Sequence, residues 1–96
     1  MPSAYLIANV DVHDPVQYEE YKKLSTLAMK ANGAEVCIRG GQVEVMEGDW
    51  APSRVVMLKF PSMDAARAFY TSPEYKAAIQ ARQGIADMRM IIVEGA

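Results

Sequence analysis

From Ala4 to Val12 the chain alternates. Leu6, Ala8, Val10 and Val12 fall on one side, and Tyr5, Ile7, Asn9 and Asp11 on the other. A period of two is that of a half-buried β-strand. After Pro15 the period becomes helical. Tyr18, Tyr21, Leu24, Leu27, Ala28 and Ala31 form an apolar stripe, with Glu19, Glu20, Lys22, Lys23 and Lys30 opposite. Asp14 is a natural N-cap, Pro15 suits the first helical position, and Gln17 completes a D-x-x-Q capping box. Asn32-Gly33 is the stop.

The stretch Glu35–Glu47 predicts a long strand with a fault in it. Val36 and Ile38 alternate with Cys37 and Arg39, and Val43 and Val45 with Glu44 and Met46, but the two sets are one residue out of phase. A straight strand cannot hold both on one face. Gly40-Gly41 can repair this as a tight hairpin turn or as a β-bulge that bends one strand. Gly48 to Ser53 is then the turn, and Arg54–Phe60 the third strand. Pro61 ends that strand and Ser62 caps a helix over Met63–Tyr70. Ser72-Pro73 restarts a helix with Tyr75, Ala78, Ile79 and Arg82 on one side. Gly84 lies near its end, and Met88–Val93 is the last strand.

The order is β-α-β-β-α-β. It predicts an α+β, ferredoxin-like fold: a four-stranded antiparallel sheet with helices on one face. The bulge is the favoured reading of Gly40-Gly41, because a hairpin there adds a reversal and leaves the last strand parallel to its neighbours. Leu6, Ala8, Val10, Val56, Leu58, Phe60, Met90 and Ile92 have the phase of the helix-covered face. The other face carries Tyr5, Ile7, Asn9, Asp11, Val55, Met57, Lys59, Arg89, Ile91 and Val93. It is too apolar for water, so a second copy is expected to cover it.

Length and composition narrow the picture. Ninety-six residues make one domain, 1–96, with no repeat or linker. A hydrophobic share of 51% is high for so small a chain and agrees with apolar surface buried between subunits. A net charge of −2, with Lys and Arg scattered, argues against nucleic acid. Cys37 is the single cysteine, so no internal disulfide or cysteine metal cluster forms. MPSAYLIANVDV lacks a signal peptide's basic and long apolar regions, and no segment approaches a membrane span. A reduced, cytoplasmic setting fits.

The segments R-G-G-Q-V-E-V-M-E-G-D-W (Arg39 to Trp50), R-V-V-M-L-K-F-P-S (Arg54 to Ser62) and S-P-E-Y (Ser72 to Tyr75) resemble the domain of unknown function 1330 family. So do the Y-L-I-A-N-V-D-V start and the D-P-x-x-Y of Asp14 to Tyr18. The resemblance spans nearly the whole chain. It implies a dimeric α/β-barrel, the group that holds antibiotic-biosynthesis monooxygenases and muconolactone isomerases. It implies no function, because fold and chemistry are separable.

Candidate chemistry is sparse. His13, the lone histidine, sits beside Asp11 and Asp14. His13 and Asp11 are the candidates for moving a proton, against a plain reading as an exposed turn. With one histidine, no all-protein zinc site is expected. Arg39, next to the glycine pair, can hold a carboxylate, either a ligand's or that of Glu44 or Glu47. Trp50 and Arg54 flank the turn, and Trp50 can stack on a planar ligand or pack on a partner subunit. Asn9 and Asp11 have the phase of the open face, where a polar group needs a partner. Tyr18, Tyr21, Tyr70 and Tyr75 read as core with their hydroxyls at its edge, where any one can also point at a ligand. Cys37 reads as packed in its strand, against a Cys37–His13 dyad that needs the fold to bring the two together. P-loop, dinucleotide-binding and hydrolase motifs are absent from the sequence. The expectation is a cofactor-independent enzyme, or a binder, for a small anionic or aromatic metabolite. Arg39, Asn9, Trp50 and Arg54 would contact it. The alternative is a non-catalytic dimeric interaction module. No cofactor, metal, nucleic acid or membrane partner is expected.

Overall fold

The protein is described by a computed structural model over residues 2–96. The elements run β1 (Ala4–Val12), α1 (Pro15–Ala31), β2 (Glu35–Arg39), β3 (Val55–Phe60), α2 (Met63–Thr71), α3 (Pro73–Arg82) and β4 (Ala86–Glu94). The sheet order is β2-β3-β1-β4, and every neighbouring pair is antiparallel. This is the ferredoxin-like arrangement expected from the sequence, with β4 two residues longer at its start and one longer at its end.

Local chemistry places each helix. The Asp14 carboxylate accepts from the Gln17 amide at 3.1 Å, which satisfies one free donor of the first turn of α1. Ser62 does the same for Ala65 at 3.1 Å. Ser72 serves two helices. Its hydroxyl donates to the Phe69 carbonyl at 2.7 Å, closing α2, and accepts from the Tyr75 amide at 3.2 Å, opening α3. The core then forms between the helices and one sheet face. Leu6, Ala8 and Val10 of β1 and Leu58 and Phe60 of β3 pack with Tyr18, Tyr21, Phe69 and Tyr75, all at most 6% exposed.

Five expectations are corrected. The second strand does not run to Glu47. It stops at Arg39, and residues 41–54 carry no regular secondary structure. The bulge is not at Gly40-Gly41, nor is there a hairpin: the register with β3 slips between Val36 and Ile38, at Cys37. Cys37 is exposed rather than packed. The buried stripe of α1 is Tyr18, Tyr21, Ser25, Ala28 and Met29, while Leu27 is 60% exposed. Tyr70 also faces out, at 44%.

The sheet face away from the helices carries Ile7, Val55, Met57, Ile91 and Val93. Ile91 is 59% and Val93 43% exposed. No helix among the described residues is long and apolar enough to cross a membrane.

Candidate functional site

The bulge decides where Arg39 points. Val36 pairs with Leu58 and so faces the helices. Uninterrupted alternation from Val36 would send Arg39 to the open face. The extra residue at Cys37 reverses the phase. Ile38 therefore pairs with Met57 on the open side and Arg39 with Val56 on the helix side. There the Arg39 guanidinium donates from Nη2 to the Thr26 hydroxyl of α1 at 2.8 Å.

Gly40 brings in the second guanidinium. Its φ is +73°, and its amide donates to the Val55 carbonyl at 2.9 Å. A Cβ at this position would overlap the Arg54 guanidinium, which lies against the glycine backbone. Glycine is needed here for the backbone, and any side chain would also make the Arg54 guanidinium shift.

The two arginines, with Lys22 and Lys23, line an open groove of about 660 Å³ against α1. Glu19 is the one carboxylate in its lining, and it is paired with Lys22 at 2.9 Å. Among the described residues the ion pairs are His13–Asp87, Lys22–Glu19 and Arg67–Asp64. Neither Arg39 nor Arg54 belongs to one. The Arg54 Nε is buried without a hydrogen-bond partner.

Inward, the groove narrows to a cavity of about 30 Å³ that shares Lys22, Arg39 and Arg54 and ends at Tyr21, Tyr75 and Met88. Its walls are apolar and include Met29, Met88 and Met90. Methionines are the side chains best able to rearrange around a guest. At the closed end the Tyr21 and Tyr75 hydroxyls lie 2.7 Å apart, and the Tyr21 hydroxyl is 3.7 Å from the Met88 sulfur. Burial, then the neighbouring Tyr75, pushes the Tyr21 phenol far above its ordinary range. Burial also raises Tyr75, against the opposing pull of its hydrogen bond to Tyr21 and of Arg82. Both phenols stay protonated at neutral pH.

The other sequence candidates are not brought to this cavity. Asn9 and Trp50 lie on the open sheet face, in a depression of about 260 Å³ with Ile7, Arg89 and Ile91. The Asn9 Oδ1 is buried there without a partner, and Trp50 is 65% exposed. Asp11, exposed at the end of β1, accepts from the Ser53 hydroxyl at 2.6 Å. His13 contacts Asp87 at 2.9 Å on the surface, and the Cys37 sulfur approaches the Glu35 carbonyl at 3.8 Å, so among the described residues the two do not hydrogen-bond to each other. No cluster of three metal-ligating side chains occurs among the described residues. Conversely, Lys22 and the Tyr21–Tyr75 hydroxyl pair were not singled out by sequence. Tyr18 and Tyr21 at helical spacing read as core, and nothing in the spacing shows that Tyr75 returns from 54 residues away to meet Tyr21.

The fold has close counterparts among solved structures. A protein of unknown function from Rhodopseudomonas palustris superposes with a TM-score of 0.74 at 21% identity, covering 99% of this chain and 83% of that one. SnoaB, a cofactor-independent oxygenase from Streptomyces nogalater, gives 0.68 at 13%, covering 100% and 95%. A dimeric ferredoxin-like protein of unknown function from Thermobifida fusca gives 0.65 at 16%, covering 97% and 91%. At these identities the likeness is one of fold. No curated protein matches the chain. The family model described as Domain of unknown function (DUF1330) matches residues 3–96, essentially the whole chain, and the protein therefore belongs to that family.

Proposed function

We propose that the chain binds a small organic anion with an apolar or aromatic body in the groove against α1, its inner part entering the apolar cavity that shares Arg39 and Arg54 with the groove. One observation carries this reading: Arg39 and Arg54, both without a carboxylate partner, stand at the mouth of an apolar cavity. Two guanidiniums side by side repel each other, and an anion relieves that repulsion while satisfying the Arg54 Nε. The apolar walls take the body, with the methionines moving to admit it.

If the bound anion also reacts, the lining constrains how. No carboxylate, imidazole or thiol reaches the inner cavity, and the two phenols hold their protons. The side chains are suited to stabilise negative charge and to donate hydrogen bonds, not to abstract a proton. A substrate would enter already ionised. The likeness to SnoaB, described as a cofactor-independent oxygenase, supports an enzyme reading of this kind through the fold alone. The test is a thermal-shift and calorimetric screen of aromatic carboxylates. Arg39→Met is expected to weaken a hit by about 10- to 100-fold, the effect of one charged hydrogen bond. Its own stability should stay within about 0.5 kcal/mol of wild type, because Arg39 is exposed and its one side-chain partner is Thr26. Binding indifferent to Arg39→Met removes the proposal.

The open sheet face favours a second statement, that the chain is a homodimer. Ile91 and Val93 are exposed beside Ile7, Val55 and Met57, with no helix to cover them. A neighbour of the same fold is itself described as dimeric. A dimer is compatible with a binder, an enzyme or a purely structural module, and the carboxylate screen separates the first two from the third.

A further inference from the structure

At the inner end of the cavity one buried phenol proton has only a weak acceptor. Tyr21 and Tyr75 are 6% and 1% exposed, so neither hydroxyl can turn to bulk water. Two phenols carry two protons. One lies between the oxygens, 2.7 Å apart. The second has one acceptor within reach among the described residues, the Met88 thioether at 3.7 Å. A thioether is a weak acceptor. Reversing the pair does not help: if Tyr21 donates to Tyr75, the Tyr75 hydroxyl has no other acceptor among the described residues. Arg82 stands beside both rings, its guanidinium carbon 5.8 Å from the centre of Tyr21. Its Nε is buried and also without a partner. A buried donor held by so weak an acceptor forgoes most of the stabilisation of a hydrogen bond, and a stronger acceptor brought by a ligand would supply it.

We propose that the ligand carries a second polar group, an uncharged oxygen acceptor such as a ketone, aldehyde or ether, at the end opposite its anion, and that the Tyr21–Tyr75 pair donates to it. The inference rests on the anion reading above and deepens it. Arg39 and Arg54 would take the anion at the mouth, the methionine-lined walls the body, and the phenol pair the far oxygen. The substrate class becomes the oxo- or alkoxy-substituted aromatic acids. A carboxylate at the inner end is disfavoured, since it would face two neutral phenols in an apolar pocket with Arg82 outside the lining. The raised phenols agree with this role: they remain donors across the whole physiological range.

Isothermal titration of the full chain with matched pairs of carboxylates tests it. Within each pair the two molecules have nearly the same shape, and one lacks the oxygen: 4-acetylbenzoate against 4-isopropenylbenzoate, and 4-acetylcinnamate against 4-isopropenylcinnamate for a longer reach. The acetyl member of at least one pair is expected to bind about 3- to 10-fold more tightly, the effect of one neutral hydrogen bond. Tyr21→Phe and Tyr75→Phe should each narrow that gap, while Arg39→Met should weaken both members equally. Equal binding within both pairs by the wild-type protein, with Arg39→Met still weakening all four, overturns the inference and leaves the anion reading standing. Failure of all four to bind, or indifference to Arg39→Met, overturns both. The wild-type comparison needs no variant, so a phenylalanine variant that fails to fold does not block the outcome.

Discussion

At Gly40 the backbone and a neighbouring side chain make the same demand. The left-handed conformation costs any other residue about 1–3 kcal/mol, and the guanidinium of Arg54 occupies the space a side chain would take. Gly41 has ordinary backbone and open space around its Cβ position. Gly40→Ala is therefore expected to lose at least about 1 kcal/mol and to displace Arg54, and Gly41→Ala to stay within about 0.5 kcal/mol. Urea denaturation of the two variants checks this, and equal losses would contradict it. Tyr21 gives a prediction in pH. Its phenol ionises at the ordinary value in the unfolded chain and only far higher when folded. Above about pH 10 the unfolded state binds fewer protons than the native state, so stability falls as pH rises, and it is fully present below that. The slope reaches at most about 1.4 kcal/mol per pH unit from this one group. Denaturant titrations from pH 8 to 11 should show the fall, and Tyr21→Phe should make it shallower.

Elements meet through a few shared residues. Ser72 closes α2 and opens α3 with one hydroxyl, and it is 8% exposed. Its loss leaves the Phe69 carbonyl and the Tyr75 amide without that partner at once. Ser72→Ala is expected to cost about 1–2 kcal/mol, at the upper end for a cap because both groups are buried. Because Ser72 sets the start of α3, the change should also loosen Tyr75, seen as faster amide exchange in the first turn of α3. The bulge at Cys37 acts in the same way on β2. One additional residue in a five-residue strand moves Arg39 from one face of the sheet to the other. This bulge was not legible. The phase fault read from the pattern lay between Val36/Ile38 and Val43/Val45, beyond the end of β2, whereas the slip falls inside the first set, at Cys37, where no glycine marks a bend. The slip is set by pairing with β3, where Leu58 must stay buried and Met57 must stay on the open face.

For the molecule as a whole, the exposed apolar side of the sheet is the feature without a counterpart. Met57 lies near the middle of β3, flanked across the strands by Ile7 and Ile38. If two copies pack through this face, Met57→Asp buries an unpaired charge at their junction, which costs several kcal/mol. The wild type is expected to be dimeric by light scattering at micromolar concentration, and the variant monomeric or unfolded. A monomeric wild type would rule the homodimer out. Val43, Val45, Met46 and Trp50 of residues 41–54 are exposed as well.

What the sequence by itself determined was the order of the elements and the inward side of β1 and β3. Alternation in β1 and β3, the caps at Asp14, Ser62 and Ser72, and the Pro-led starts of α1 and α3 are local signals, carried by residues at most four positions apart. They sufficed for the ferredoxin-like order and for most of the helix-facing core. Arg39 was legible as a charge beside a bend. What only the tertiary structure decided was which distant groups meet. Asn9 and Trp50 share a sheet face with each other and not with Arg39, so the candidates once grouped together divide between the two sides of the sheet. Arg54 comes to Arg39 because Gly40 leaves it room, and Tyr75 comes to Tyr21 because α3 packs on α1. Such pairings depend on strand register and helix packing, which are set by burial summed over the whole chain. No short stretch of residues encodes them.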